Sequence, residues 1–207
     1  MIIYDISKNI DGCEVYPGDP MPTIHRMQSL SKGDSCNLSG ISMCLHTGTH
    51  IDAPSHFLDG GGTIGDAGVE PFIGECHVIP VAHNITGLFI ENTVTENMHK
   101  VLFKTGGKFY LDKSGANALI ETNVKLVGID ALSVSSGYDE ASTHRILLQN
   151  GIYILEGLNL SEITGRKYFL FAAPINTGST DGAPCRAVLL QKDDGIVPLP
   201  VFGKRRD

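Results

Sequence analysis

Residues 46–57 read HTGTHIDAPSHF, with histidines at 46, 50 and 56 and an aspartate at 52. In a helix, His46 and His50 would share one face, a turn apart. Asp52 would then lie about 200° further round the axis and point away from them. An extended chain instead places the even positions His46, His50, Asp52 and His56 on one face. The β-branched Thr47, Thr49 and Ile51 favour that backbone as well. A straight strand would hold His46 and His50 about 13 Å apart, near the limit for two imidazoles on one ion. Gly48 is therefore expected to bend the chain, and Pro54 to end regular pairing beyond Asp52. This places the stretch at the end of a strand over 41–45 and in the loop that follows.

Two imidazoles and a carboxylate suit a borderline divalent ion, Zn²⁺ first, with Mn²⁺ or Fe²⁺ as alternatives. Three protein ligands, His46, His50 and Asp52, leave a coordination position open, as catalytic zinc requires and structural zinc does not. His56, just beyond them, is placed to move protons. HxxxH alone is weak evidence; HxxxHxD with a further histidine four residues on is specific. Cys44 could face the same way, but reads more simply as a small buried strand residue.

A second half-site is visible downstream. His144 falls in the first turn of a helix expected over 142–149, and Glu156 closes a strand expected over 152–155. Asn150 and Gly151 turn the chain back between them. The helix advances about 9 Å from His144 to Asn150, and the strand about 16 Å from Gly151 to Glu156. The two side chains can thus converge within reach of a second ion. A surface histidine and a salt-bridged glutamate would read the same way.

Further strands are expected over 2–6, 76–81, 100–104, 125–129, 168–172 and 187–190, each rich in Val, Ile, Leu or aromatics and bounded by turn residues. Helices are fewer: 114–122 with Ser114 as N-cap, 142–149, and a weaker candidate over 93–99. No GxGxxG follows a strand, which excludes a dinucleotide-binding Rossmann pattern. The expectation is α/β: one domain over 1–207 with a curved, barrel-like mixed sheet and a few helices. The Gly60, Gly61 and Gly62 triplet reads as a loop beside the site rather than a boundary.

The chain of 207 residues is 42% hydrophobic and 19% charged, ordinary for a globular protein. A net charge of −7 argues against nucleic acid as a partner, because phosphate contacts need clustered cations. The one basic cluster, Lys204 to Arg206, reads as a solvated tail. No apolar run is long enough to span a membrane, and the N-terminus lacks a signal-peptide core. Five cysteines without a CxxC pair fit reduced thiols in the cytoplasm.

These residues resemble the cyclase family of metal-dependent hydrolases, which includes the bacterial kynurenine formamidases. Residues 46–57 match its HxGTHxDxPxHF pattern without a gap. The resemblance continues through 74–81 (GECHVIPV), 127–130 (VGID), His144, Glu156 and 181–188 (DGAPCRAV). It implies one metal on His46, His50 and Asp52, and a second on His144 and Glu156 with Asp52 bridging. It implies His56 as the proton-transfer residue, a swivelling-type α/β fold, and a homodimer. Residues 16–19 (YPGD) resemble a turn in which the formamidases carry a pocket tryptophan; this chain has no tryptophan at all. Tyr16 is then either an aromatic wall for substrate or a plain turn-flanking residue. The chemistry implied is metal-assisted hydrolysis of a small amide, an aryl formamide first. An isatin-type lactam is the rival substrate, and a non-catalytic metal-binding protein the rival class.

Overall fold

A computed structural model describes residues 1–191, so the basic cluster Lys204 to Arg206 lies outside the described residues. In chain order the elements are β1 (Ile2–Asp5), β2 (Thr23–Gln28), β3 (Leu38–Ser42), β4 (His50–Asp52), β5 (Ile73–Pro80), α1 (Gly87–Thr93) and β6 (Lys100–Lys104). They continue with α2 (Lys113–Ile120), β7 (Leu126–Ile129), α3 (Glu140–Gln149), β8 (Tyr153–Glu156), β9 (Lys167–Phe171), β10 (Gly182–Pro184) and β11 (Val188–Gln191). Nine strands form one sheet in the order β1-β11-β9-β5-β6-β7-β8-β4-β10, while β2 and β3 pair as a separate hairpin.

The middle of the sheet, β5-β6-β7-β8, is parallel, and the flanking pairs are antiparallel. Its crossovers are α1, α2 and α3, which pack against one another in sequence. Strand alternation divides the core between the two faces of the sheet. Val101, Phe103, Val127 and Ile154 pack under Ile90, Ala116, Leu119 and Leu147 of the helices. Leu102, Leu126 and Leu155 face the other way, into a core closed by Ile51, Val78, Leu170 and Leu189. Burial on both faces is why 126–129 reads LVGI without a polar residue. The curved mixed sheet with a few helices expected from the sequence is the architecture found.

Three local expectations need correction. The strand expected over 41–45 is Leu38–Ser42, so the chain is already turning when it reaches Cys44. The helix expected over 93–99 lies one element earlier. Thr86 caps it by accepting from Phe89 N, it ends at Thr93, and Met98 N closes a turn on Thr95 instead. In α2 the N-cap is Asp112 rather than Ser114. The Asp112 carboxylate takes both the Gly115 N–H and the Ser114 hydroxyl, and an ionised acceptor outcompetes the serine.

The seam between the 46–57 stretch and β8 turns on Gly157, at φ +66°. A Cβ there would overlap the Gly48 carbonyl oxygen. Gly157→Ala should therefore cost about 1–3 kcal/mol from backbone strain alone. Urea denaturation should show a lower midpoint at unchanged slope. A wild-type midpoint would mean that this approach is slack.

Candidate metal centre

The route of the chain from Cys44 to His56 explains how the polar cluster forms. Thr47 N closes a turn on Cys44 O, and Gly48, at φ +71°, redirects the backbone. The Thr49 hydroxyl donates to Gly157 O at 2.6 Å and accepts from Lys8 N at 2.8 Å. The chain then enters β4, which lies between β8 and β10. In that register His50 faces Glu156 on one side and Pro184 on the other. Pro54 begins a single 3-10 turn, Pro54–His56, which brings His56 back over the strand end. The turn is pinned to the glycine loop by Ser55 N donating to Gly62 O at 2.9 Å.

His50, Asp52, His144 and Glu156 are each at most 4% exposed. His46 Nδ1 is 2.8 Å from Asp52 Oδ1, and His50 Nε2 is 3.3 Å from the same oxygen. His50 Nε2 is also 3.6 Å from Glu156 Oε2, and His144 Nε2 is 3.2 Å from Glu156 Oε1. Among the described residues, two sets of donor atoms lie close enough for an ion: His46, Asp52 and His56, and His50, Asp52 and Glu156. Asp52 belongs to both.

Backbone carbonyls fix two of the imidazoles. His50 Nδ1–H donates to Gly48 O at 3.0 Å, and His144 Nδ1–H to Glu140 O at 2.8 Å. A carbonyl can only accept, so each ring presents an unprotonated Nε2 when neutral. Phe57 stacks on His144 with centroids 4.5 Å apart and holds its plane. The Asp52 Oδ2 atom is buried and accepts no hydrogen bond among the described residues, with His144 Nε2 nearest at an ion-pair distance of 3.8 Å. An ionised carboxylate oxygen kept from water without a donor is costly, and a cation is the partner that fits. The nitrogen and oxygen donor set around it suits a divalent ion.

Residues 4–136 match the family described as putative cyclase. A kynurenine formamidase of Bacillus cereus is 32% identical over 199 residues, covering 89% of this chain and 95% of that protein. This chain belongs to the cyclase family. A solved structure of a predicted metal-dependent hydrolase from Bacillus stearothermophilus superposes with a TM-score of 0.74 at 29% identity, covering 91% of this chain and 97% of that one. Isatin hydrolase A from Labrenzia aggregata, bound to benzyl benzoate, shares the fold with a TM-score of 0.80 at 21% identity, covering 91% and 93%.

The cyclase-family site opens into a cavity of about 540 Å³ with His46, His50, His56, His144 and Glu156 in its lining. Tyr16 stands at its mouth, 40% exposed, in the turn closed by Asp19 N on Tyr16 O. Cys44 is half-buried and lines the cavity, with its thiol donating to Asp19, and is not a buried strand residue. Two further residues belong here that the sequence reading did not single out. Asp181 Oδ2 is 3.0 Å from His46 Nε2 and 3.3 Å from His56 Nδ1. Glu140 accepts from the Tyr16 hydroxyl at 2.8 Å. The only signal for Asp181 is that it opens the DGAPCRAV stretch; Glu140 has none.

The charges follow from these contacts. Burial lowers the His46 pKa, but the hydrogen bonds and charges of Asp52 and Asp181 outweigh it and lift the group to about 9. Burial likewise pulls His144 down, and Glu156 and Asp52 raise it to about 9. Burial pushes Asp52 up, but its bonds to His46 and His50 hold it well below the usual carboxylate range. For His56 burial dominates and the pKa falls, so the ring is neutral near pH 7. In the metal-free protein, the stabilisation from protonated His46 and His144 is complete below about pH 6.5 and is lost as pH rises through about 9. Metal must displace those protons. Calorimetric titration with Zn²⁺ at pH 7.5, in buffers of differing ionisation enthalpy, should record proton release on binding. Buffer-independent heats would contradict it.

Proposed function

We propose that this cyclase-family chain hydrolyses a small amide, an aryl formamide such as N-formylkynurenine, using one or two divalent ions. The observation that carries the reading is the buried Asp52 carboxylate, within 3.8 Å of His46, His50 and His144, beside a cavity lined by those histidines, Glu156 and His56. His46, His50 and Asp52 would hold one ion, and His144 and Glu156, with Asp52, the second. Zn²⁺ fits this nitrogen and oxygen set first, and Mn²⁺ second. When bound, such ions polarise a carbonyl and acidify water.

The residues of the chain supply the rest. His56, neutral near pH 7, takes a proton from the attacking water and returns it to the departing arylamine nitrogen. Asp181 Oδ2, 3.3 Å from His56 Nδ1, is placed to stabilise the imidazolium that forms when His56 takes the proton. Phe57, Leu132 and Tyr16 offer apolar surface to an aromatic ring. An unhindered formyl carbonyl suits a floor this crowded with side chains.

Residues 1–207 are read as one domain acting in the cytoplasm, since all five cysteines are free and no described helix is long and apolar enough to cross a membrane. The hairpin of β2 and β3 exposes the cross-strand pair Ile24 and Ile41 on one face, apolar surface suited to a homodimer contact. The purified protein should be assayed with aryl formamides, lactams and lactones after loading with Zn²⁺ or Mn²⁺. Formate release from an aryl formamide supports the reading. Turnover confined to lactams moves the substrate to the isatin type, and no turnover with metal bound leaves a metal-binding protein.

A further inference from the structure

A second cavity, of about 450 Å³, shares no lining residue with the metal cavity. It lies between the end of β5, the stretch from α1 into β6, and the start of β9. Strand alternation decides what β5 sends into it. Cys76 and Val78 turn into the core on one face of the sheet, and Ile79 packs with the helices on the other. His77 shares the parity of Ile79, so its ring points to the helix side and lines the cavity. His77 is 6% exposed, and its buried Nδ1 has no hydrogen-bond partner among the described residues. The other edge of the ring is engaged, with Nε2 at an ion-pair distance of 3.9 Å from Glu75 Oε1. A polar atom buried without a partner is one that a ligand is expected to satisfy.

The exposed side of the cavity carries Arg166 and Lys167, and neither aspartate nor glutamate lines it among the described residues. Lys167 Nζ is 3.8 Å from Glu75 Oε1, but the Arg166 guanidinium has no partner among the described residues. Two cations against that one carboxylate leave a net positive rim. Asn92, Thr95 and Asn97 add neutral polar groups. The Asn92 amide donates to Leu88 O at 2.7 Å, so this carbonyl of α1 is already covered. A cation would be repelled here, and a neutral ligand would leave Arg166 unpaired. An anion satisfies the guanidinium and the imidazole N–H together. We propose that this cavity binds a small oxyanion, a carboxylate or phosphoryl group, held by Arg166 and Lys167 at the rim and by His77 Nδ1–H from within. The site is separate from the metal centre and does not depend on the amide-hydrolase reading.

Sulfate is the first probe, because it offers the oxyanion without titrating near neutral pH and is a weak ligand for zinc. In the Zn²⁺-loaded protein, nitrogen NMR follows the His77 ring, whose signals are those absent from His77→Gln. Sulfate should shift Nδ1 saturably, with a roughly millimolar Kd, and chloride at equal ionic strength should not. Arg166→Gln changes an exposed side chain, so fold and metal content should stay as in wild type. It should weaken sulfate about 10–100-fold, the range for a hydrogen bond to a charged group. Lys167→Gln should weaken it less, because Glu75 already shares that cation. Phenyl phosphate and benzoate then compete for the same signal, and the tighter of the two names the group as phosphoryl or carboxyl. Binding is read without turnover, so a protein that hydrolyses no amide would still show it. A His77 signal unmoved by all three anions, an equal response to chloride, or a response that survives Arg166→Gln overturns the proposal.

Discussion

Replacing His56 with alanine should leave metal content nearly intact and slow turnover about 10²–10⁴-fold, the contribution of a positioned proton-transfer group. The geometry makes the outcome informative, because His56 stands where it could do either of two things. Its ring stacks on His46 with centroids 3.9 Å apart, and one of its nitrogens is close enough to join His46 and Asp52 around an ion. Its Nδ1, however, is at an ion-pair distance of 3.3 Å from Asp181, whose charge favours proton uptake by the ring. Burial lowers its pKa, so the acidic limb of the wild-type rate profile should fall below pH 6.5 and change shape in the variant. Loss of metal together with activity would make His56 a ligand. A wild-type rate and profile would remove it from the mechanism.

Asp52→Asn should be the most damaging single substitution at the site. Asp52 is fully buried, belongs to both donor sets, and has one carboxylate oxygen without a donor among the described residues. An amide keeps the shape and removes the charge that two neighbouring sites share. Elemental analysis should show both ions reduced together, with turnover down about 10³-fold or more, equivalent to several kcal/mol of lost electrophilic assistance. In the metal-free variant, His46 and His50 lose the carboxylate that raises them, so both should titrate at lower pH than in the metal-free wild type. Retention of one full equivalent of metal would show that Asp52 serves a single ion.

How much of this was readable in the chain depends on how local the determining interaction is. The 46–56 cluster is legible because spacing alone excludes a helix, and Gly48 bends the chain where an extended stretch would have overreached. The parallel strand at 126–129 is legible because burial on both faces leaves only apolar residues there. By contrast, β4 and β10 have three residues each, too few to show a period, and exist because β8 pairs with β4 and β4 with β10. All six residues of β2 are exposed, so no hydrophobic pattern marks it. Asp181 and Glu140 reach the site through tertiary contacts with His46, His56 and Tyr16, far away in sequence. Glu140 carries no local signature, and Asp181 only its place at the head of the DGAPCRAV stretch.

The insertion of β4 between β8 and β10 also dictates when the site can exist. Both neighbours of this strand are made long after it, so the ribosome releases 46–56 well before anything can hold it. Long-range closure of this kind is slow, because the loop must be ordered before its contacts reward it. The parallel β5-β6-β7-β8 layer can grow unit by unit as each helix emerges, but its edge stays open throughout. A nascent chain that ends before Gly182 carries every candidate donor and still lacks the strand that closes β4 on its second side. Metal capture is therefore a late event in the life of the polypeptide, and a chain cut short before Gly182 would keep its parallel middle and stay empty at its centre.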